Sequence, residues 1–191
     1  MDPDGAKRER GLRMWGLEDN RPTILVTGGS QGAVSINTAL AGAVERLTEA
    51  GYQILHAYGR KNDAPAKHDH YTAVPYIDDM EAAYAVADVV VCRSGAMTVA
   101  ENSAAGLPAI YIPLPHGNGE QGLNSAHLVA TGAALRIDDA ALDGDVLVDK
   151  LVPLLDPEAR AAMRAALQDS GAGSVAEDLA ARIAAAAGKD K

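Results

Sequence analysis

Apolar and polar residues alternate in a regular way from Pro22 onward. Short runs rich in β-branched residues are each followed by a longer stretch in which apolar residues recur at helical spacing. This alternation is typical of βαβ units, and it predicts an α/β fold with a Rossmann-like open parallel sheet and helices on both faces. The predicted strands span 23–27, 52–57, 72–75, 88–92, 109–112 and 133–136. The predicted helices between them span 33–50, 79–87, 97–105 and 120–131.

The two ends of the chain depart from this pattern. Residues 1–21 are polar and charged, and we expect them to form a lead-in that is flexible or helical. After Asp138 the pattern is wholly helical, and the predicted helices span 143–155, 157–169 and 174–187. Asp156 and Ser174 are plausible N-caps. The last stretch is rich in alanine, but its apolar residues recur at helical spacing, which favours a docked helix over a linker. We therefore expect residues 22–191 to form one domain.

Composition narrows the class of protein. The chain has 191 residues, of which 48% are apolar and 4% aromatic, with no Phe, so a packed core has to be built from aliphatic side chains. The formal net charge of −9 disfavours nucleic acid as a partner and a basic membrane anchor. Cys92 is the only cysteine, which excludes an intrachain disulfide and is typical of a reducing cytoplasm. No apolar run approaches the length of a membrane span.

The first candidate motif is GGSQGA at residues 28–33, directly after the first predicted strand. A strand-to-helix turn directs unpaired backbone N–H groups at one point, and the glycines Gly29 and Gly32 let a ligand approach the backbone closely. Ser30 adds a hydroxyl donor and Gln31 an amide. The turn is neither a Walker loop nor a complete GxGxxG, and a tight turn without a ligand is an equal alternative.

The second motif is RSGAMTVAE at residues 93–101, again between a strand and a helix. Ligands of open parallel sheets lie at the carboxyl ends of strands, so this turn is where we expect a diphosphate. The residues whose amides would face it are Gly95, Ala96, Met97 and Thr98. Glu101 can accept hydrogen bonds from a ribose diol or can simply interact with the helix dipole. Arg93 can bind substrate or bridge an acid at the rim of the sheet, and Cys92 is expected to be an unreactive buried strand residue.

Two further segments contain polar groups suited to a nucleotide sugar. Residues 113–124 contain Glu120, Gln121 and Asn124, and Asn and Gln suit sugar hydroxyls because each offers a donor and an acceptor. A polar loop followed by a capped helix is the simpler interpretation. Residues 76–80 (YIDDM) have two interpretations. In the first, Asp78 or Asp79 is an ordinary N-cap of the next helix. In the second, the backbone of Ile77 binds the edge of a pyrimidine.

Metal binding and catalysis by this chain are not expected. His68 and His70 are close in sequence, but two histidines in a charged loop rarely form a metal site. No pair of carboxylates and no Ser/His/Asp order is arranged as catalytic groups are.

Together, the four motifs resemble the carboxyl-terminal domain of the MurG family of glycosyltransferases, in order and at similar spacing, from about Pro22 to the last predicted helix. The resemblance implies one half of a two-domain GT-B enzyme whose donor is UDP-N-acetylglucosamine. By that resemblance Ser30 and residues 95–98 would hold the diphosphate, Ile77 would meet the uracil and Glu101 the ribose. The full set expected to bind the donor is Gly29, Ser30, Gln31, Gly32, Ile77, Arg93, Gly95, Ala96, Met97, Thr98, Glu101, Glu120, Gln121 and Asn124.

Of the three residues expected near the transferred sugar, two fit the family pattern and one departs from it. Gln121 would contact the transferred sugar, and Asn124 fits the family pattern, where it can also serve to brace the helix. Glu120 departs from it, since many relatives have Gln or His at that position. This difference puts a sugar contact from Glu120 in question.

The resemblance also implies the reaction. N-acetylglucosamine would pass, with inversion, to undecaprenyl-pyrophosphoryl-N-acetylmuramyl-pentapeptide, the step from lipid I to lipid II in peptidoglycan synthesis. Helix N-termini would stabilise the leaving diphosphate, so no metal or other cofactor is expected. No catalytic residue is expected in this chain, because the general base and the acceptor site belong to the amino-terminal domain of the family. The domain alone is expected to be inactive, and the whole enzyme to lie peripherally at the cytoplasmic face of the plasma membrane without inserting this domain.

Two other functions fit the same residues. One is a different two-domain glycosyltransferase or a UDP-sugar epimerase, although an epimerase is expected to have more acid and base groups in its cleft. The other is a nucleotide-binding module without chemistry.

Overall fold

The computed structural model of this protein describes residues 5–115 and 119–171. The strands are β1 (Thr23–Thr27), β2 (Gln53–Ala57), β3 (Tyr71–Val74), β4 (Val89–Cys92), β5 (Ala109–Tyr111) and β6 (Ala134–Arg136). The α-helices are α1 (Ala6–Trp15), α2 (Val34–Ala41), α3 (Val44–Glu49), α4 (Met80–Val86), α5 (Ala96–Ala104), α6 (Glu120–Ala130), α7 (Gly144–Leu151) and α8 (Pro157–Asp169). Short 3-10 helices span Asp139–Ala141 and Val152–Leu155. The predicted helix at 174–187, with Ser174 as its cap, lies outside the described residues, as do residues 116–118 of the third motif.

The six strands form one sheet in the order β3-β2-β1-β4-β5-β6, and every neighbouring pair is parallel. The chain builds outward from β1 in one direction and then from β4 in the other, so the strand order reverses between these two strands. That reversal is the place where open α/β sheets bind their ligands. The predicted Rossmann-like parallel sheet is confirmed.

The core lies on both faces of the sheet because side chains alternate along each strand. On β1, Ile24 and Val26 face a cluster that includes residues of α2, α3 and α7. Leu25 faces the opposite cluster, which includes residues of α4, α5 and α6. Strands β1, β2 and β4 are buried on both faces, which is why they appear in the sequence as nearly continuous apolar runs.

The single helix predicted over 33–50 is wrong: α2 ends at Ala41 and α3 begins at Val44. The break lies at Gly42, where the backbone of α7 comes very close. A Cβ built on Gly144 would lie 2.7 Å from the carbonyl carbon of Gly42. This contact joins two glycines that are far apart in sequence. The spacing of apolar residues within 33–50 therefore could not indicate it.

Helix α1 lies within the predicted lead-in and packs against α4. The two helices approach closely at Gly11, where an added Cβ would lie 2.7 Å from Cγ1 of Val86. Arg10 pairs with Asp79 over 2.8 Å, and Arg8 donates to the Ala85 carbonyl over 3.2 Å. The predicted domain boundary at residue 22 stays a prediction. Helix α1 packs on the face of the sheet that α4 covers.

Three helices begin with an Asp side chain that accepts a backbone N–H. Asp79 caps α4, Asp143 caps α7, and Asp156 caps α8 as predicted. The alternative between Asp78 and Asp79 is therefore decided for Asp79, which accepts from the amide of Ala82 over 3.0 Å. None of the helices within residues 5–115 and 119–171 is both long and apolar enough to span a bilayer.

Candidate functional site

A cavity of about 710 Å³ opens at the carboxyl ends of β1, β2 and β4, where the strand order reverses. Cavities of this size commonly hold ligands as large as a nucleotide. The residues that line it are Thr27, Gly28, Gly29, Ser30, Gly32, Ala33, Val34, Ala57, Tyr76, Ile77, Met80, Tyr84, Cys92, Arg93, Gly95, Thr98, Glu101, Leu114 and Gln121. All four sequence motifs therefore contribute to one cavity.

The turn at 28–33 needs glycine for reasons of its own structure. Gly32 has a φ of 75°, and a Cβ there would lie 2.2 Å from the carbonyl oxygen of Tyr58. Gly29 has a φ of 86° but has open space around it, so only its backbone conformation favours glycine. The loop after β2 holds the turn in place, because Nδ2 of Asn62 donates to the Gln31 carbonyl over 2.9 Å. The turn is thus held in place by contacts within the protein.

Two helix N-termini at this cavity have no side chain that could cap them. The N-cap of α2 is Ala33 and that of α5 is Gly95, and both residues line the cavity. The first amides of a helix lack partners within the helix and bind water, a side chain or a ligand instead. These two N-termini are therefore suited to bind an anion such as a diphosphate.

Glu101 lies on the cavity wall, with its carboxylate held by a tyrosine. Oε2 of Glu101 accepts a hydrogen bond from the hydroxyl of Tyr84 over 2.9 Å. Glu101 is the sixth residue of α5, whose first turn contains no acidic residue. Because the dipole effect falls off within the first turn, this position weakens the interpretation of Glu101 as a dipole residue alone.

Arg93 is engaged by the protein itself. Its Nη1 lies 2.5 Å from Oδ1 of Asp139, and its Nη2 donates to Oγ of Ser35 over 2.9 Å. Nη1 also donates to the carbonyl of Ile112 over 3.2 Å. The guanidinium thus bridges an acid at the rim of the sheet, which is one of its two predicted roles. Its contact with a donor stays a prediction.

The start of α6 is tied to the turn after β4. Oγ of Ser94 donates to the carbonyl of Gln121 over 2.7 Å, and Nδ2 of Asn124 donates to the carbonyl of Ser94 over 3.0 Å. The side-chain oxygen of Gln121 accepts from the amide of Leu114 over 3.0 Å. Asn124 therefore braces the site, whereas Gln121 reaches the cavity itself.

The structure brings most of the predicted residues to the cavity. Those that line it are Gly29, Ser30, Gly32, Ile77, Arg93, Gly95, Thr98, Glu101 and Gln121. Gln31, Ala96, Met97, Glu120 and Asn124 belong to the same segments but do not line it. The side chain of Ile77 is 3% exposed and packs in the core, so a ligand would meet its backbone. Cys92 is buried as expected, and that burial raises the pKa of its thiol to about 12.

Sequence reasoning missed Met80 and Tyr84, which line the cavity from α4. The two residues are four positions apart and so share one face of the helix, directly after the predicted Ile77 contact. That spacing was the available signal. In an alanine-rich helix it is typical of core packing, which is why it did not indicate a ligand.

No group of three or more His, Cys, Asp or Glu side chains in residues 5–115 and 119–171 is placed to hold a metal ion. Nδ1 of His70 lies 3.1 Å from Oε1 of Glu18. Metal-free donor binding stays a prediction.

Residues 23–183 match the glycosyltransferase family 28 C-terminal domain. The chain belongs to this family. The match covers all six strands of the sheet and the helices that bear the cavity.

Two relatives of high sequence identity have the same transferase name. The chain is 54% identical, over 97% of its length, to the UDP-N-acetylglucosamine–N-acetylmuramyl-(pentapeptide) pyrophosphoryl-undecaprenol N-acetylglucosamine transferase of Corynebacterium efficiens. It is 51% identical, over 94% of its length, to the transferase of the same name from Corynebacterium diphtheriae. The chain spans about half the length of these relatives, 52% and 51% respectively.

Solved structures have the same fold. MurG from Acinetobacter baumannii superposes with a TM-score of 0.69 and 30% identity, covering 88% of this chain and 52% of that one. The calicheamicin glycosyltransferase superposes with a TM-score of 0.64 at 18% identity, covering 89% of this chain and 45% of that one, and shows the fold alone. The predicted architecture, one half of a GT-B glycosyltransferase, is confirmed.

Proposed function

We propose that this chain is the donor-binding domain of an inverting transferase that passes N-acetylglucosamine from UDP-N-acetylglucosamine to undecaprenyl-pyrophosphoryl-N-acetylmuramyl-pentapeptide. The observation that supports this most is the cavity at the reversal of strand order, which residues of all four motifs line. The relatives at 54% and 51% identity have this activity in their names.

In this proposal the diphosphate lies between the two helix N-termini at the cavity. The amides at the start of α2 and α5, together with the hydroxyl of Ser30, would bind its oxygens. Negative charge grows on the diphosphate as the bond to the sugar breaks. Donors that are already fixed in position stabilise that charge without the cost of reorienting. No metal is needed for this step of the proposal.

The base and the ribose would bind along α4 and α5. The backbone of Ile77 would meet the uracil edge, because its side chain is buried in the core. The carboxylate of Glu101 would accept from the ribose hydroxyls, since a charged acceptor makes stronger hydrogen bonds than a neutral one. Both groups line the same cavity as the glycine turn.

The transferred sugar would bind at the start of α6. The oxygen of the Gln121 amide already accepts from the Leu114 backbone, so the amide nitrogen is the group that would donate to a sugar hydroxyl. Glu120 is exposed at the first position of α6 and Asn124 braces Ser94. Direct contacts from these two residues, and from Gln31, Arg93, Ala96 and Met97, remain predictions.

The general base and the acceptor lipid would belong to the other domain of the two-domain family. The enzyme would then act at the cytoplasmic face of the plasma membrane as a peripheral protein. Its ligands would be the donor and the lipid-linked acceptor. Nucleic acid would not be a ligand, because the chain has a net charge of −9.

Calorimetry on the 191-residue chain tests the donor site. We expect UDP and UDP-N-acetylglucosamine to bind with a Kd of about hundreds of micromolar, because one domain supplies only part of an enclosing surface. Affinity should be the same with Mg²⁺ and with EDTA. A comparison with UDP-glucose shows whether the site distinguishes N-acetylglucosamine from glucose. A dinucleotide is the control for non-specific nucleotide binding by a Rossmann-like domain. Equal binding of the dinucleotide, or loss of UDP binding in EDTA, would contradict the proposal.

A further inference from the structure

Tyr84 is the residue that holds the side chain of Glu101. Its hydroxyl donates to Oε2 of Glu101 over 2.9 Å, and both residues line the cavity. The contact joins α4 to α5 across 17 positions of sequence. Burial and the neighbouring carboxylate raise the pKa of Tyr84 above its ordinary value, and the phenol is the donor in this hydrogen bond.

We propose that Tyr84 is a positioning residue for nucleotide binding: it fixes the Glu101 carboxylate in the orientation that accepts the ribose diol, and thereby favours ribonucleotides over their deoxy forms. This inference rests on the proposed donor site. The Tyr84 bond occupies one lone pair of Oε2 and leaves Oε1 for the ligand.

A positioning residue is useful here because the side chain of an exposed glutamate can adopt many rotamers. Glu101 is exposed on α5, and an exposed Glu side chain loses rotamer freedom when a ligand orders it. If a protein group has ordered the carboxylate beforehand, that loss no longer weakens binding. Oε2 is fixed by the phenol, and the phenol is fixed by its ring, which packs against the core cluster on this side of the sheet.

An experiment can distinguish a purely structural role of Tyr84 from the proposed role in positioning Glu101. The ring supplies the packing, and the hydroxyl supplies the bond to Glu101. Tyr84→Phe removes the hydroxyl and keeps the ring. A structural role would lower thermal stability and affect all ligands alike. A positioning role would affect only ligands that carry the ribose diol.

The test is an NMR titration of the 191-residue chain with UDP and with 2′,3′-dideoxy-UDP. Tyr84→Phe should weaken UDP binding about 3- to 10-fold, the effect of freeing one side chain, and leave the dideoxy ligand unchanged. Tyr52→Phe is the matched control. It removes a buried hydroxyl that donates to the Leu151 carbonyl over 2.9 Å, away from the cavity. It should lower the Tm and leave both affinities unchanged.

A double variant checks that Tyr84 acts through Glu101. Tyr84→Phe combined with Glu101→Ala should bind UDP no more weakly than Glu101→Ala alone, because both changes remove one shared interaction. Additive losses, or an equal loss of both ligands in Tyr84→Phe, would overturn the positioning role and leave the donor site standing. A parent chain that binds neither ligand would overturn both proposals.

Discussion

At the scale of single residues, the site depends on side chains that the protein holds in place before a ligand arrives. Glu101 is fixed by Tyr84, Gln121 by the amide of Leu114, and Arg93 by Asp139. Fixed groups lose less freedom on binding than free ones do. The same contacts explain why residue type alone did not separate Glu101, the proposed ribose ligand, from Arg93, which is paired within the protein.

Glu101→Ala should weaken binding of UDP and UDP-N-acetylglucosamine equally, because both ligands contain the ribose. Each lost charge-assisted hydrogen bond corresponds to about 1.5–3 kcal/mol at most, so calorimetry should show a loss of affinity of up to about 10- to 150-fold for each lost bond. Folding should change by no more than about 1 kcal/mol, since one partly exposed bond to Tyr84 is lost.

Glu45→Ala is the control for Glu101→Ala. Glu45 is an exposed first-turn acid of α3, so its removal shows the loss of a dipole interaction alone. If Glu101→Ala behaves like Glu45→Ala, with a lower Tm and unchanged UDP affinity, Glu101 is not a ribose ligand.

At the scale of elements, α4 forms the wall of the cavity along which the nucleotide is proposed to bind. It supplies Met80 and Tyr84 and follows directly after Ile77. Its position depends on its Asp79 cap and on α1, which packs along it and pairs Arg10 with Asp79. The charged segment before the first strand thus supports the site from behind.

Asp79→Ala should lower the free energy of unfolding by about 1 kcal/mol, the usual effect of losing an N-cap, as measured by urea denaturation. Asp79→Asn is the matched control, because Asn also caps helices well but cannot form the ion pair with Arg10. We expect Asn to restore most of the loss. If Asn and Ala are equally destabilised, the ion pair rather than the cap holds α4.

The same position has a pH dependence. The hydrogen bond from Arg10 and that from the Ala82 amide lower the pKa of Asp79 below its ordinary value. A carboxyl group with a lowered pKa stabilises the folded state above its unfolded pKa, and this contribution is lost as pH falls through the folded value. The stability difference between the parent chain and Asp79→Asn should therefore shrink in acid.

At the scale of the whole molecule, the cavity is open to solvent. The cavity is lined at its mouth by exposed apolar side chains, including Val34 and Leu114, which are 70% and 42% exposed. The relatives that the chain matches are about twice its length. Transfer requires both reactants in one geometry, and much of an enzyme's rate comes from that alignment.

The 191-residue chain alone should not transfer sugar to a lipid-linked acceptor. A radiolabelled transfer assay, with the full-length Corynebacterium efficiens relative as positive control, measures this directly. Turnover clearly above a reaction without protein would contradict the prediction. Binding of UDP by the same sample would show that the inactive chain is folded.

The sequence by itself determined the features that arise from neighbouring residues. Strand alternation, the glycine turn at 28–33 and the Asp156 cap depend on local backbone preferences and side-chain periodicity, and these are visible in one stretch of chain. The parallel direction of the strands followed from the βαβ pattern, because a helix between two strands returns the chain to the same end of the sheet.

The tertiary structure alone decided the contacts between distant segments. The helix break at Gly42 comes from the approach of Gly144, and Arg93 pairs with Asp139 across 46 positions. The contact of Tyr84 with Glu101 likewise exists only because two crossover helices lie beside the same cavity. Local propensity contains no information about such pairs, since their energy comes from packing that forms when the whole sheet is assembled.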